Sequence, residues 1–144
     1  MFKSILVPID LAQPSSWEGP LPLAAELARN HGAKLHVLNV VPPFGMAIVG
    51  GFFPEDFERR AIEEAKKALA ETIAKVDLGG VEPHLLVSHG TIYEEILHAA
   101  DAMQADLIVM MAHRPELRDY LLGPNAARVV RHAKQSVFVM RNGQ

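Results

Sequence analysis

Apolar positions along the chain gather into five short runs, and between them four stretches repeat their apolar residues at helical spacing. The runs are "SILVPI" (Ser4–Ile9), "KLHVLNVV" (Lys34–Val41), "EPHLLVS" (Glu82–Ser88), "DLIVMM" (Asp106–Met111) and "SVFVMR" (Ser136–Arg141). An uninterrupted apolar run such as the first suits a strand covered on both faces. In the second run the pleat puts Leu35, Val37, Asn39 and Val41 on one face and His36, Leu38 and Val40 on the other.

The first helical stretch, "LPLAAELARNHG", spaces Leu23, Leu27 and its alanines for one face and stops at Gly32. Pro20 and Pro22 fit a first turn, where N–H groups have no intrahelical partner, so the helix starts near Pro20 or earlier with a kink. Pro54–Val76 reads as the second helix, with Phe57, Ala61, Ala65, Ala68, Leu69 and Ile73 in one stripe and Glu63–Lys67 as a favourable i,i+4 pair. In "TIYEEILHAADAM" Thr91 is the N-cap and Glu94 follows three residues on, which predicts a capping box. The fourth helix is "NAARVVRHA", opened by Gly123-Pro124, with proline at a position it favours. The Gly/Pro-rich loop Val41–Phe53 is long for a compact domain, which fits a lid or binding loop and equally a surface connection.

Strand and helix in strict alternation predict one α/β domain over residues 1–144: a parallel sheet, helices on both faces, right-handed crossovers. Such sheets bind ligands beyond the carboxyl ends of their strands, where the winding direction reverses. That singles out the loops after the first strand, from Asp10, and after the fourth, from Met111. Composition agrees, since 144 residues that are 49% apolar suffice for one core. A net charge of −3 with both signs well mixed gives no electrostatic reason to expect nucleic acid or anionic membrane as a partner. The absence of cysteine removes disulfides, zinc–thiolate sites and thiol catalysis. No stretch reads as a signal peptide or reaches the roughly 20 apolar residues of a membrane span, so the expected location is cytoplasmic.

Candidate chemistry lies mainly in "MMAHRPELRDYLLGPNAARVVRHA" (Met110–Ala133), a strand, a polar loop, a glycine and a helix in the order of a phosphate cradle. Gly123 permits close backbone approach, and Asn125 and Ala126 offer free N–H groups aided by the helix dipole. Arg114 is able to pair a phosphate bidentately, or is an exposed loop arginine; His113 serves as ligand or as backbone brace. Pro124 brings neither N–H nor hydroxyl, and Met111 brings bulk unless its side chain turns into the sheet. Asp10 is either a ligand-binding carboxylate or the acceptor of an Asx-turn. No P-loop, nucleophile elbow or histidine metal spacing is present, so neither catalytic nor metal-binding residues are assigned.

"ILVPID", "DLIVM" and "LLGPNAARVVRHAKQSVFVMR" resemble the universal stress protein family (the UspA superfamily), and "AHRPELRDYLLG" is nearest an enterobacterial-type branch with a "SHRP…YLLGSNA" loop. The resemblance covers nearly the whole chain. It implies a Rossmann-like sheet, as in adenine nucleotide alpha hydrolases, of order 3-2-1-4-5, an ATP site in many members, and dimers formed through the last strand, here Ser136–Arg141. It also implies that Asp10, with Pro8 and Ile9 before it, accepts from ribose hydroxyls and that the backbone of Val40 reads adenine. Laid on the family pattern G-x2-G-x9-G-[S/T], Met111 and Arg114 replace the first two glycines. Gly123 is the third after eight intervening residues, and Pro124 stands for the hydroxyl residue. The implied function is a regulatory module of the stress response that binds ATP or AMP, with or without Mg, and signals to an unidentified regulatory protein. The alternative is a nucleotide-independent protein–protein module with a degenerate site and no cofactor. As an enzyme it would be at most a slow ATP hydrolase.

Overall fold

The computed structural model describes residues 1–43, 57–112 and 123–141. Its elements run β1 (Ser4–Ile9), α1 (Ser15–Glu18), α2 (Pro20–His31), β2 (Lys34–Val41), α3 (Phe57–Ala74), β3 (Pro83–His89), α4 (Ile92–Ala102), β4 (Leu107–Met111), α5 (Gly123–His132) and β5 (Ser136–Met140). The strands form one parallel sheet of order β3-β2-β1-β4-β5, as the family resemblance implies.

Alternation along each strand sorts the core into two layers. Ile5, Val7, Leu35, Val37, Leu107 and Val109 face α2 and α3, where they meet Leu21, Ala24, Leu69 and Ile73. Leu6, Leu38, Ile108 and Met110 face the other way, onto Ile96, Ala100, Ala126 and Val129. The six residues of β1 are all buried, which is why this strand needs a continuous apolar run. The two edge strands are only partly covered, and Leu85 on β3 and Phe138 on β5 stay exposed.

The helices follow the sequence signals with differences in α2, α3 and α4, and α3 ends at Ala74, short of the expected Val76. The proline-rich start resolves into two helices: α1 ends at Gly19, and α2 begins at Pro20 and stops at Gly32, whose φ of 67° is the left-handed cap that glycine favours. Thr91 does occupy the N-cap of α4, but its side chain makes no capping bond, so the capping box is not formed. The Glu94 carboxylate instead accepts from the Tyr93 hydroxyl at 3.4 Å, and exposed Thr91 is left to water. On α3, Glu63 pairs with Lys66 at 3.9 Å rather than with Lys67; both groups are solvent-exposed, and the choice between neighbouring lysines carries little energy there. Residues 54–56, at the expected start of that helix, and 44–53 of the long loop lie outside the described residues.

Candidate functional site

Proline opens the crevice. The Lys3 carbonyl accepts from Lys34 on β2, and the Ser4 carbonyl accepts from Asp106 ahead of β4. Backbone groups of successive strand residues turn to opposite edges, so even-numbered residues of β1 face β4. Pro8 is one of them and has no N–H to give to that ladder. The pairing of β1 with β4 accordingly stops at Leu6↔Ile108, whereas that with β2 runs on to Ile9↔Asn39. Beyond Leu6 the registered pairing of the two central strands ends, at the point where the sheet's winding reverses.

The cavity left there has a volume of about 440 Å³, within the roughly 300–1,000 Å³ usual for small-molecule sites. Pro8, Ile9 and Asp10 line it from β1, Val40 and Pro42 from β2, and Met110, Met111 and Ala112 from β4. Asn125 and Ala126 close it from the first turn of α5, and Ile92 and Ile96 from α4. Of the residues singled out in the sequence, Pro8, Ile9, Asp10, Val40, Met111, Asn125 and Ala126 are thus brought together around one space. Gly123 and Pro124 begin the helix that carries the last two. His113 and Arg114 lie outside the described residues. Gln13, Ser15 and Ser16 also line the cavity, and sequence reasoning missed them. The signal was the polar segment "AQPSS" directly after a strand that ends at a switch point.

Asp10 does form an Asx-turn: its Oδ1 accepts the Ala12 N–H at 2.9 Å. That leaves Oδ2, which has no hydrogen-bond partner among the described residues. The turn and a ligand contact are therefore compatible uses of one carboxylate, not alternatives. On β2 the Val41 carbonyl accepts from Gly90 on the β3 side, so the Val40 carbonyl turns to the opposite edge, just past the last registered pair with β1. At the α5 end the helix begins at Gly123, so the N–H of Asn125, the third helical residue, has no helical acceptor and carries the positive end of the helix dipole. The N–H of Ala126, the fourth, enters the helix ladder and is not the free donor expected from the sequence.

Met111 does not plug the cavity. Leu107 and Val109 lie in the α2/α3 layer, and Met111 shares their face. Its methyl group and that of Met140 converge on Gly19, where a Cβ would meet them at 3.3 and 3.4 Å. Glycine at the α1–α2 junction thus makes room for the bulk that the sequence places at the first position of the family's glycine pattern. A separate hollow of about 320 Å³ lies between α3 and β3, where Ile73, Val76, Leu78 and Leu85 line it together with Glu82.

Among the described residues there is no cluster of three or more metal-ligating side chains, and no helix is long and apolar enough to cross a membrane. The family model described as the Universal stress protein family matches residues 1–141. Universal stress protein G of Shigella flexneri is 28% identical over 98% of this chain and all of its own length. Universal stress protein A homolog 1 of Coxiella burnetii is 31% identical, with 96% of each chain covered. Among solved structures, a universal stress protein family member from Burkholderia pseudomallei superposes with a TM-score of 0.70 at 27% identity, covering 96% of this chain and 95% of the other. A universal stress protein in complex with cAMP gives 0.63 at 21% identity, with 99% and 98% covered. One from Archaeoglobus fulgidus in complex with dAMP gives 0.53 at 24%, with 95% and 96% covered. At those two identities the likeness is one of fold.

Proposed function

The chain belongs to the universal stress protein family, and on that premise we propose that it is a nucleotide-responsive regulatory module whose switch-point cavity binds an adenine nucleotide. One observation carries the reading: Asp10, Val40 and the first turn of α5 line one cavity of nucleotide size. They offer an acceptor for ribose hydroxyls, an acceptor for the adenine amino group and donors for a phosphate. Two proteins of the same fold, in complex with cAMP and dAMP, support the ligand class.

The donor missing at Pro124 favours AMP or another monophosphate over ATP. The described lining contains one acid, Asp10, and no lysine or arginine. Pro124 removes one N–H from the first turn of α5. Hydrogen bonds to charged groups contribute about 1.5–3 kcal/mol each, so each missing donor costs a triphosphate roughly tenfold or more in affinity. Calorimetric titration of the purified chain with AMP and with Mg-ATP tests this. Binding of AMP, tighter than that of Mg-ATP, is the expected result. Silence toward both at millimolar concentration would transfer the function to protein–protein contact alone, the reading that Pro124 favours.

In this proposal the protein works in the cytoplasm as a homodimer. Strand β5 is a sheet edge with Phe138 exposed, and Val130 of α5 is exposed as well. Pairing Ser136–Arg141 with its copy about a two-fold axis would cover that edge. A regulatory protein would then read nucleotide occupancy.

A further inference from the structure

We infer that Ser16 is a positioning residue for the Asp10 carboxylate, and that its hydroxyl sets how strongly the cavity prefers ligands with free ribose hydroxyls. The inference rests on the nucleotide reading above. Asp10 leaves β1 where the strand has lost its partner on one side, so its backbone is not fixed by the sheet. One side chain holds it instead. The Asp10 N–H donates to Ser16 Oγ at 2.8 Å, and Ser16 Oγ donates back to the Asp10 carbonyl at 3.0 Å. A hydroxyl carries one proton and two lone pairs, so both bonds form together.

The clasp is braced on both sides. The Asp10 carbonyl also accepts from the Gln13 N–H at 2.9 Å, and the Ser16 N–H donates to the Gln13 carbonyl at 2.8 Å. Ser16 sits in α1, next to Trp17, which packs against the apolar layer under the sheet. The clasp therefore transmits the position of an anchored element to the backbone of Asp10. The Asx-turn to Ala12 fixes the side chain from its other end. With backbone and Oδ1 both held, Oδ2 is left pointing from a fixed frame. Removing the hydroxyl frees the Asp10 N–H and loosens that frame, which weakens only the part of the affinity that passes through Oδ2.

A brace of the turn alone would behave differently. It would weaken every ligand alike, including one with no hydroxyl for Asp10 to meet. The experiment titrates the native chain, Ser16→Ala and Ser16→Thr with AMP and with 2′,3′-dideoxy-AMP, and follows exchange of the Asp10 amide by NMR without ligand. In the native chain AMP should bind tighter than the dideoxy form by about tenfold or more. In Ser16→Ala that ratio should collapse toward one, AMP losing far more affinity than the dideoxy form, and Ser16→Thr should restore it. Amide exchange at Asp10 should accelerate in the alanine variant. Equal weakening of both ligands, a ratio that survives in Ser16→Ala, or unchanged exchange at Asp10 would overturn the inference and leave the nucleotide reading standing. A native chain that binds neither monophosphate would overturn both.

Discussion

Two aspartates stand at opposite ends of the central β1–β4 pair, and their oxygens are occupied differently. Asp106, at the amino end of β4, reaches back to the start of β1. Its Oδ1 accepts from Lys3 and Ser4 N–H groups at 3.2 and 3.1 Å, and its Oδ2 accepts from Lys3 at 3.0 Å. Asp10, at the carboxyl end of β1, satisfies one N–H with one oxygen, and its other oxygen has no partner among the described residues. At the amino end the ladder is intact and a carboxylate stitches it; at the carboxyl end Pro8 breaks the ladder and a carboxylate is left over. The same side chain is structural where the sheet closes and available where it opens. Satisfied lone pairs, more than residue type or position in a motif, separate the two roles.

The contrast is sharpest under substitution. Asp10→Ala should lower affinity for AMP by about 30-fold or more, the equivalent of about 2 kcal/mol for a hydrogen-bonded charged group, while the melting temperature barely moves. Asp106→Ala should do the reverse. Calorimetry and thermal melting of both variants check this, and unchanged AMP affinity in Asp10→Ala would remove the ribose contact from the site.

At the far wall of the cavity, Pro124→Ser restores an N–H and adds a hydroxyl to the first turn of α5. The gain should be about tenfold for Mg-ATP and smaller for AMP, because the longer phosphate chain has more oxygens for the new donors. Equal gains for both would place the terminal phosphates away from α5.

Most of the architecture was legible because it rests on local patterns. The continuous run Ser4–Ile9, the alternation in Lys34–Val41 and the stop at Gly32 each predict one backbone state, and each appears where expected. The capping box at Thr91 did not form, since the Thr91 side chain makes no capping bond, an outcome that the motif S/T-x-x-E does not encode. The site was legible in part. Asp10, Val40, Asn125 and Ala126 were identifiable from strand ends and a helix start, and they do share one cavity. The side-chain direction of Met111 was not legible, because it depends on the register of β4 and on room supplied by Gly19, ninety-two positions away in sequence. Ser16 escaped notice for a similar reason, since its partners are backbone groups, which no side-chain motif records. Pro8 was the overlooked local signal: a proline inside a central strand announces where the ladder must stop.

The smallest effects concern pH, and there the closed parts of the sheet should respond. Burial alone would push the Asp106 carboxyl up, but the N–H groups of Lys3 and Ser4, its own N–H and the Lys3 ammonium outweigh this and hold it below its ordinary 3.8. A folded value below the unfolded one means that the unfolded chain binds the proton first. The stabilisation from Asp106 is therefore complete above the unfolded value and disappears as pH falls through the folded one. His36 adds a second limb at milder pH. It is buried on β2 with neither ring nitrogen partnered among the described residues, and it stacks on His84 at 5.1 Å. Burial first, then the nearby charges of His84 and Lys34, lower its pKa from 6.5. Again the unfolded chain takes up the proton first, so stability should begin to fall as pH drops through about 6.5 and keep falling until His36 protonates in the fold. Denaturant unfolding between pH 8 and pH 3 should thus show two descending limbs. His36→Leu should flatten the upper limb alone and Asp106→Asn the lower alone. Neither change should alter the affinity for AMP at pH 8, because both groups lie away from the cavity lining. A loss of affinity in Asp106→Asn at that pH would show that the two ends of the β1–β4 pair are coupled, and the division between a stitching and an available aspartate would fail.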